Sequence, residues 1–313
     1  MKQKMVNTAW ILSVILLTLR SLQAASTDNS IIQKKTGRII LAYKGFEAFL
    51  ETEKTWQDFE QQLLIPYPEV QIVHEKQMSW GAIDSLEFPK QIKTYQKDDF
   101  AHYFSQYDVA YLSDLYDSIV EKGNRLLPPS KAKPVDLCFF LPYGSCFIDP
   151  GKEKATIFIS LYINPVDVRK IMSHEYGHYL HMQWRPDEPQ TLAREVVSEG
   201  VAVYITMLLV DSLQLKQAIP FMPESSVDWC FEHETMLKDS ILSDLAMTHD
   251  DLYLKYISDG SIAKPPAGFV QKTAYFAGYR IIESCINRGM KLEDICLLDS
   301  KSVIDKSGYF INR

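Results

Sequence analysis

Between Ile171 and Trp184 the chain reads IMSHEYGHYLHMQW, which places three of its seven histidines within eight residues. In an α-helix, residues four apart rise about 6 Å and project from one face. His174 and His178 can therefore aim both imidazoles at one ion, at the roughly 2.0–2.1 Å of a zinc–nitrogen bond. Glu175 is turned about 100° further round the helix. That leaves it beside such an ion without ligating it, placed to take a proton from water held there. Gly177 removes a side chain where a second backbone can come close, although glycine inside a helix costs up to about 1 kcal/mol. A solvated polar face would show the same letters, so the flanks decide. Upstream, ATIFISLYI alternates with period two: Ile157, Ile159, Leu161 and Ile163 on one face, Thr156, Phe158, Ser160 and Tyr162 on the other. Asn164 can cap the next element, Pro165 suits a first helical position and Asp167 favours the positive helix end. The predicted helix runs from Pro165 to about Trp184 and stops before RPDEP. A second begins near Gln190 and carries TLAREVVSEGVAVYITMLLV.

A catalytic zinc takes three protein ligands and keeps one position open. A third histidine six residues beyond the second is excluded, since that place holds Trp184. The following helix instead offers Glu195 and Glu199, four apart on one face of an otherwise apolar segment, where an unpaired carboxylate is costly. Either could ligate. His181 reads as solvated or substrate-facing rather than as a ligand. His74, His102, His233 and His249 are scattered and form no pattern.

HEYGH followed by SEGVA resembles the gluzincin metallopeptidases, of the thermolysin and zinc-aminopeptidase kind. The resemblance implies a glutamate about twenty residues after the second histidine as third ligand. Glu199, in its Glu-Gly-x-Ala context, fits that position better than Glu195, which then becomes the partner that orients a ligating imidazole. TAYFAGYRII is similar to the aminopeptidase helix whose tyrosine steadies the transition-state oxyanion. This maps onto Tyr275, with Tyr279 as the alternative and Arg280 read as an ion-pair partner. The order of strand, HEYGH, SEGVA and AYFAGYRIIES over roughly residues 135–300 is also similar to a family of predicted bacterial zinc-dependent proteases of unknown function. The chain lacks the Gly-Ala-Met-Glu-Asn type of segment that holds a substrate amino terminus. Implied are an α+β, zincin-like fold, with a small mixed or antiparallel sheet beside the active-site helix and a mostly helical C-terminal part. One zinc ion and a peptide or protein substrate follow, with the 155–163 strand pairing an extended peptide. The same residues admit a non-catalytic zinc-containing exported binding protein or effector, or a zinc-dependent hydrolase of a non-peptide amide.

The remaining features bound this reading. A net charge of −7 argues against nucleic acid, which needs clustered Lys and Arg. Residues 1–24 read as a signal peptide, with basic MKQK, an apolar run and small residues up to Ala24 and Ala25. The run is too short for a membrane span, so an exported periplasmic or extracellular form is expected, with an uncleaved anchor as the alternative. Residues 25–37 read as a mobile lead-in and 38–130 as an N-terminal α+β segment. The latter has a strand at Ile39–Tyr43 and helices near Trp56–Leu64 and Asp98–Glu121. The Pro-rich LPPSKAKP at 127–134 reads as a hinge before a catalytic region at 131–313. Five cysteines in an exported chain leave at least one thiol unpaired or paired to another chain. Cys138 and Cys146 flank a Pro-Tyr-Gly turn, where either a bridge across a hairpin or two small buried side chains fit. The clearest C-terminal helix is Thr273–Arg288, closed by Gly289.

Overall fold

The computed structural model describes residues 30–129, 133–248, 255–258 and 264–311. The expected signal peptide lies outside the described residues. The lead-in is shorter than expected. From Ile31 the chain already forms strand β1 (Ile31–Lys34), which turns at Lys35–Thr36 and pairs antiparallel with β2 (Gly37–Leu41).

Three more strands complete one sheet: β3 (Val135–Phe140), β4 (Cys146–Asp149) and β5 (Ala155–Ser160), in the order β1-β2-β3-β5-β4. β2 and β5 run parallel to β3 on its two sides, and β4 closes the end antiparallel to β5. The sheet thus takes strands from both sides of the Pro-rich stretch, and one apolar core holds Phe46, Phe59 and Leu112 together with Phe139, Ile159 and Val201.

This order overturns two expectations. The Pro-Tyr-Gly turn does not make a hairpin, because β5 inserts between β3 and β4. Cys138 pairs with Phe158 and Cys146 with Ile159, so the two thiols stand two strand spacings apart, about 9–10 Å, beyond the reach of a disulfide. All five cysteines are free thiols. The alternating segment is also shorter than read, ends at Ser160, and is buried on both faces. With β3 on one side and β4 on the other, β5 has no edge left for a substrate.

Helices cover both faces. Neighbouring residues of β4 point to opposite sides. Phe147 meets Trp80, at the end of a helix that begins with Pro68, while the Cys146 thiol faces the Glu175 side. On the first side lie α1 (Tyr43–Phe49) and α2 (Pro68–Ser79). Between them Trp56–Phe59 forms one helical turn, opened by a Thr55–Asp58 capping box, that continues as π-helix over Glu60–Leu64. The single helix expected at Asp98–Glu121 is two, α3 (Lys97–Ser105) and α4 (Val109–Leu126). The break has a local cause: the Asp108 carboxylate accepts from the Ala110 N–H and starts a new helix.

The segments around the motif fold much as their caps dictate. Asn164 accepts from the Val166 N–H, Pro165–Asp167 makes a 3-10 turn, and α5 (Val168–Trp184) follows, ending at Arg185 before Pro186. Thr191 caps α6 (Leu192–Leu209) through the Arg194 N–H. Two further helices, α7 (Glu224–Glu232) and α8 (Glu234–Asp244), lead towards α9 (Thr273–Asn287), with α10 (Ser300–Ser307) near the end. Beyond α9, Gly289 takes a φ of 85° to turn the chain. No helix among the described residues is long and apolar enough to cross a membrane.

α5, α6 and α9 pack backbone to backbone. A Cβ on Gly177 would stand 3.0 Å from the Ala202 Cα, so glycine is what allows α6 to lie against the motif helix. One on Gly278 would come within 2.0 Å of the Val196 carbonyl oxygen, and one on Gly200 within 2.2 Å of the Gly278 backbone. The two glycines set α9 directly on α6. This three-helix stack carries the site.

Candidate metal centre

His174 and His178, one turn apart on α5, meet Glu199 from α6. Glu199 Oε2 lies 3.1 Å from His174 Nε2 and 3.3 Å from His178 Nε2, and the two imidazole nitrogens are 3.1 Å apart. Three donors of different charge thus form a nearly equilateral triangle. A tetrahedral ion with bonds of roughly 2.0–2.1 Å sets its donors about 3.3 Å apart, so the triangle fits such an ion to within a few tenths of an ångström. Two imidazoles and one carboxylate suit zinc or a similar transition ion rather than the all-oxygen shells of calcium or magnesium. The three residues form a group that could hold a metal ion, and among the described residues no fourth His, Cys, Asp or Glu joins them.

The electrostatics follow from burial. His174 is 2% exposed and Glu199 8%. Burial pushes the His174 imidazolium down to about 4. Burial also opposes charge on His178, but the Glu199 carboxylate outweighs it and raises that imidazole to about 8. Glu199 itself, though desolvated, is held well below the usual carboxylate range by the two histidines. Without an ion, one proton on His178 balances the Glu199 charge; a divalent cation replaces it.

Glu175 faces the same region. It is buried, and burial pushes its carboxyl up to about 7. Charges on His178, Glu199 and Lys272 act on it through space. That is the environment of a group poised to exchange a proton near neutral pH.

The partners differ in part from those expected. Ser198, not Glu195, touches one of the two candidate-ligand rings: its Oγ lies 3.3 Å from His178 Nδ1. Glu195 hydrogen-bonds neither imidazole among the described residues. Desolvation raises its carboxyl, and Glu199, Arg194, His178 and Arg185 act on it through space. His181 is not solvated but 4% exposed, with Nδ1 unpartnered among the described residues, and burial drives it down to about 3. It stays neutral, with Arg185, His178 and Arg194 also acting against a charge on it. His174 Nδ1 is likewise buried without a partner among the described residues.

Tyr275, from the first turn of α9, does reach the centre. Its ring stacks on His174, centroids 5.7 Å apart and planes 20° from parallel. Burial and the Glu199 carboxylate, to which the phenol hydrogen-bonds, keep the hydroxyl protonated, and it rests on the third donor. Tyr279 points elsewhere and donates to Glu283 at 2.9 Å. Arg280 pairs with Glu234 and Glu283.

Two residues escaped the sequence. Ser198 carries no signal beyond its place before Glu199. Lys272, the residue before α9, is 6% exposed, and its Nζ stands 4.2 Å from the Tyr275 ring centroid. Only its position ahead of TAYFAGY could have marked it.

The chain matches no protein-family model, no curated protein and no solved structure in the three comparisons. Fold and site together define a mixed α+β protein with a buried three-donor group able to hold a metal ion.

Proposed function

We propose that the chain is an exported, zinc-dependent metallopeptidase of gluzincin type, built on a zincin-like fold, with His174, His178 and Glu199 holding the ion. The observation that carries this reading is the triangle of three donors with Glu175 buried beside it and no fourth protein ligand among the described residues. A purely structural zinc takes four protein ligands and has no use for the glutamate.

When bound, the ion supplies Lewis acidity, making water more acidic and polarising a carbonyl. The chain's own residues do the rest. Glu175 accepts a proton from water and passes it to the leaving amine, a task suited to a carboxyl near neutrality. Ser198 fixes the His178 ring. The Tyr275 phenol, protonated and adjacent to Glu199, can turn to donate to a developing oxyanion. Strand β4, at the end of the sheet with its Cys146 side towards Glu175, takes the substrate-pairing role first read for β5.

The test is Glu175→Gln. The variant should keep its metal and lose at least about 100-fold in hydrolysis of a mixed peptide set followed by mass spectrometry. Undiminished cleavage by the metal-loaded Glu175→Gln protein would refute the mechanism.

A further inference from the structure

On the α2 side of the sheet, away from the metal centre, a cavity of about 330 Å³ lies between Trp56, His74, Met78, Ser85, Phe88 and Pro89. That is the size of a small-molecule site, roughly 300–1,000 Å³. Its walls come from three segments, each pinned locally. Trp56 opens the helical turn fixed by the Thr55–Asp58 capping box. His74 and Met78 stand four apart on one face of α2. The Asp84 carboxylate accepts from the N–H groups of Leu86 and Glu87, at 2.7 and 3.0 Å, and so holds the Ser85–Phe88 turn. The cavity is therefore shaped without a guest. His74 and Phe88 are buried and form its floor, whereas Met78 and Ser85 are exposed and mark its mouth.

The floor is aromatic. His74 lies 5.5 Å from the ring centroids of both Trp56 and Phe88, and those two meet edge to face at 6.5 Å. A phenylalanine would pack equally well at position 74; a histidine adds a polar atom. Its Nδ1 stands 2.6 Å from the Tyr143 hydroxyl. Burial keeps that phenol protonated, and its hydrogen needs an acceptor, which Nδ1 supplies. Burial also favours the neutral imidazole, which then carries its own hydrogen on Nε2. Tyr143 is itself held, stacked on Phe88 at 5.5 Å and with its carbonyl accepting from Ser160 Oγ at 2.6 Å. Nε2, on the ring edge away from Tyr143, is the donor that His74 can offer to a guest. None of the six lining residues is charged, so an ionic guest would lose water without gaining a counter-ion. A flat ring, by contrast, gains stacking and edge contacts. We infer that this cavity is a second binding site, for an uncharged aromatic molecule of one or two rings with a hydrogen-bond acceptor for His74.

Two probes isolate the claim. 1-Indanone and indane share a two-ring frame and differ by one carbonyl acceptor. In isotope-labelled protein the Trp56 indole N–H resonance, identified with Trp56→Phe, reports occupancy. 1-Indanone should shift that signal, leave those of Trp184 and Trp229 in place, and bind about fivefold tighter than indane. His74→Phe should bring the two probes to equal affinity. Ser85→Phe, at the exposed mouth, should block both while the circular dichroism stays that of the native protein. The inference is overturned by a silent Trp56, by equal shifts at all three tryptophans, or by equal affinity of the two probes for the native protein. Undiminished binding to Ser85→Phe, or a preference that survives in folded His74→Phe, overturns it too. Should His74→Phe fail to fold because Tyr143 has lost its acceptor, Ser85→Phe and the probe pair decide. The same results are expected with and without zinc, so this site stands or falls apart from the metal reading.

Discussion

At the scale of residues, the centre is a balance between burial and three mutually facing polar groups. His178 shows this most plainly. Its folded value of about 8 lies above the roughly 6.5 of an unfolded chain. In metal-free protein the His178–Glu199 pair therefore adds stability that is fully present below about pH 6.5 and lost as pH rises through about 8. Metal binding must expel that proton. Affinity for zinc should climb by up to about tenfold per pH unit between pH 6 and 8 and then level off. Competition titrations with a chelator across pH 6–9 measure this, and a flat profile would remove the proton from His178. Ser198→Ala leaves the His178 Nδ1 without its neighbour and should weaken zinc binding about 10–100-fold in the same titration, with folding unchanged. An unaltered affinity would deny Ser198 any orienting role.

At the scale of elements, the glycines at 177, 200 and 278 do what no side chain could. They bring α5, α6 and α9 close enough for two imidazoles, a carboxylate and a phenol to converge. Gly278→Ala would press a methyl group into the Val196 carbonyl, 2.0 Å away. Alanine's better helix propensity is worth about 1 kcal/mol, whereas overpacking typically costs about 1–3. Urea unfolding should show a net loss, together with weaker metal binding as Tyr275 and Glu199 separate. A stabilised variant would show that the contact is softer than drawn. These helices were legible in the sequence because their signals are local: Asn164 and Pro165 mark a start, the 3.6-residue period marks faces, and the motif itself sets two histidines on one face. Glu199 emerged over Glu195 only through a resemblance, since both share one helix face. The π-helix at Glu60–Leu64 and the break at Asp108 were missed, the first because no side-chain pattern announces it.

At the scale of the whole molecule, pairing between distant segments decides the architecture, and a single sequence says little about it. Pro142-Tyr143-Gly144 looks like a hairpin turn, yet β3 prefers β2 and β5, which buries it on both edges and sends β4 to the end of the sheet. The same order separates Cys138 from Cys146. A reductant should therefore leave the melting temperature of the protein unchanged; a drop of several degrees would mean a bridge forms after all. Trp56, His74 and Phe88 likewise meet only through tertiary packing, from segments that nothing in the chain's periodicity links.

The most direct test of the central claim is metal analysis of the purified protein beside single-site variants. The native chain should carry close to one zinc ion, Glu195→Gln and Glu175→Gln should retain it, and His174→Ala and Glu199→Ala should lose it while still folding by circular dichroism. A native chain without stoichiometric metal, or one that keeps zinc in Glu199→Ala and loses it in Glu195→Gln, would contradict the assignment.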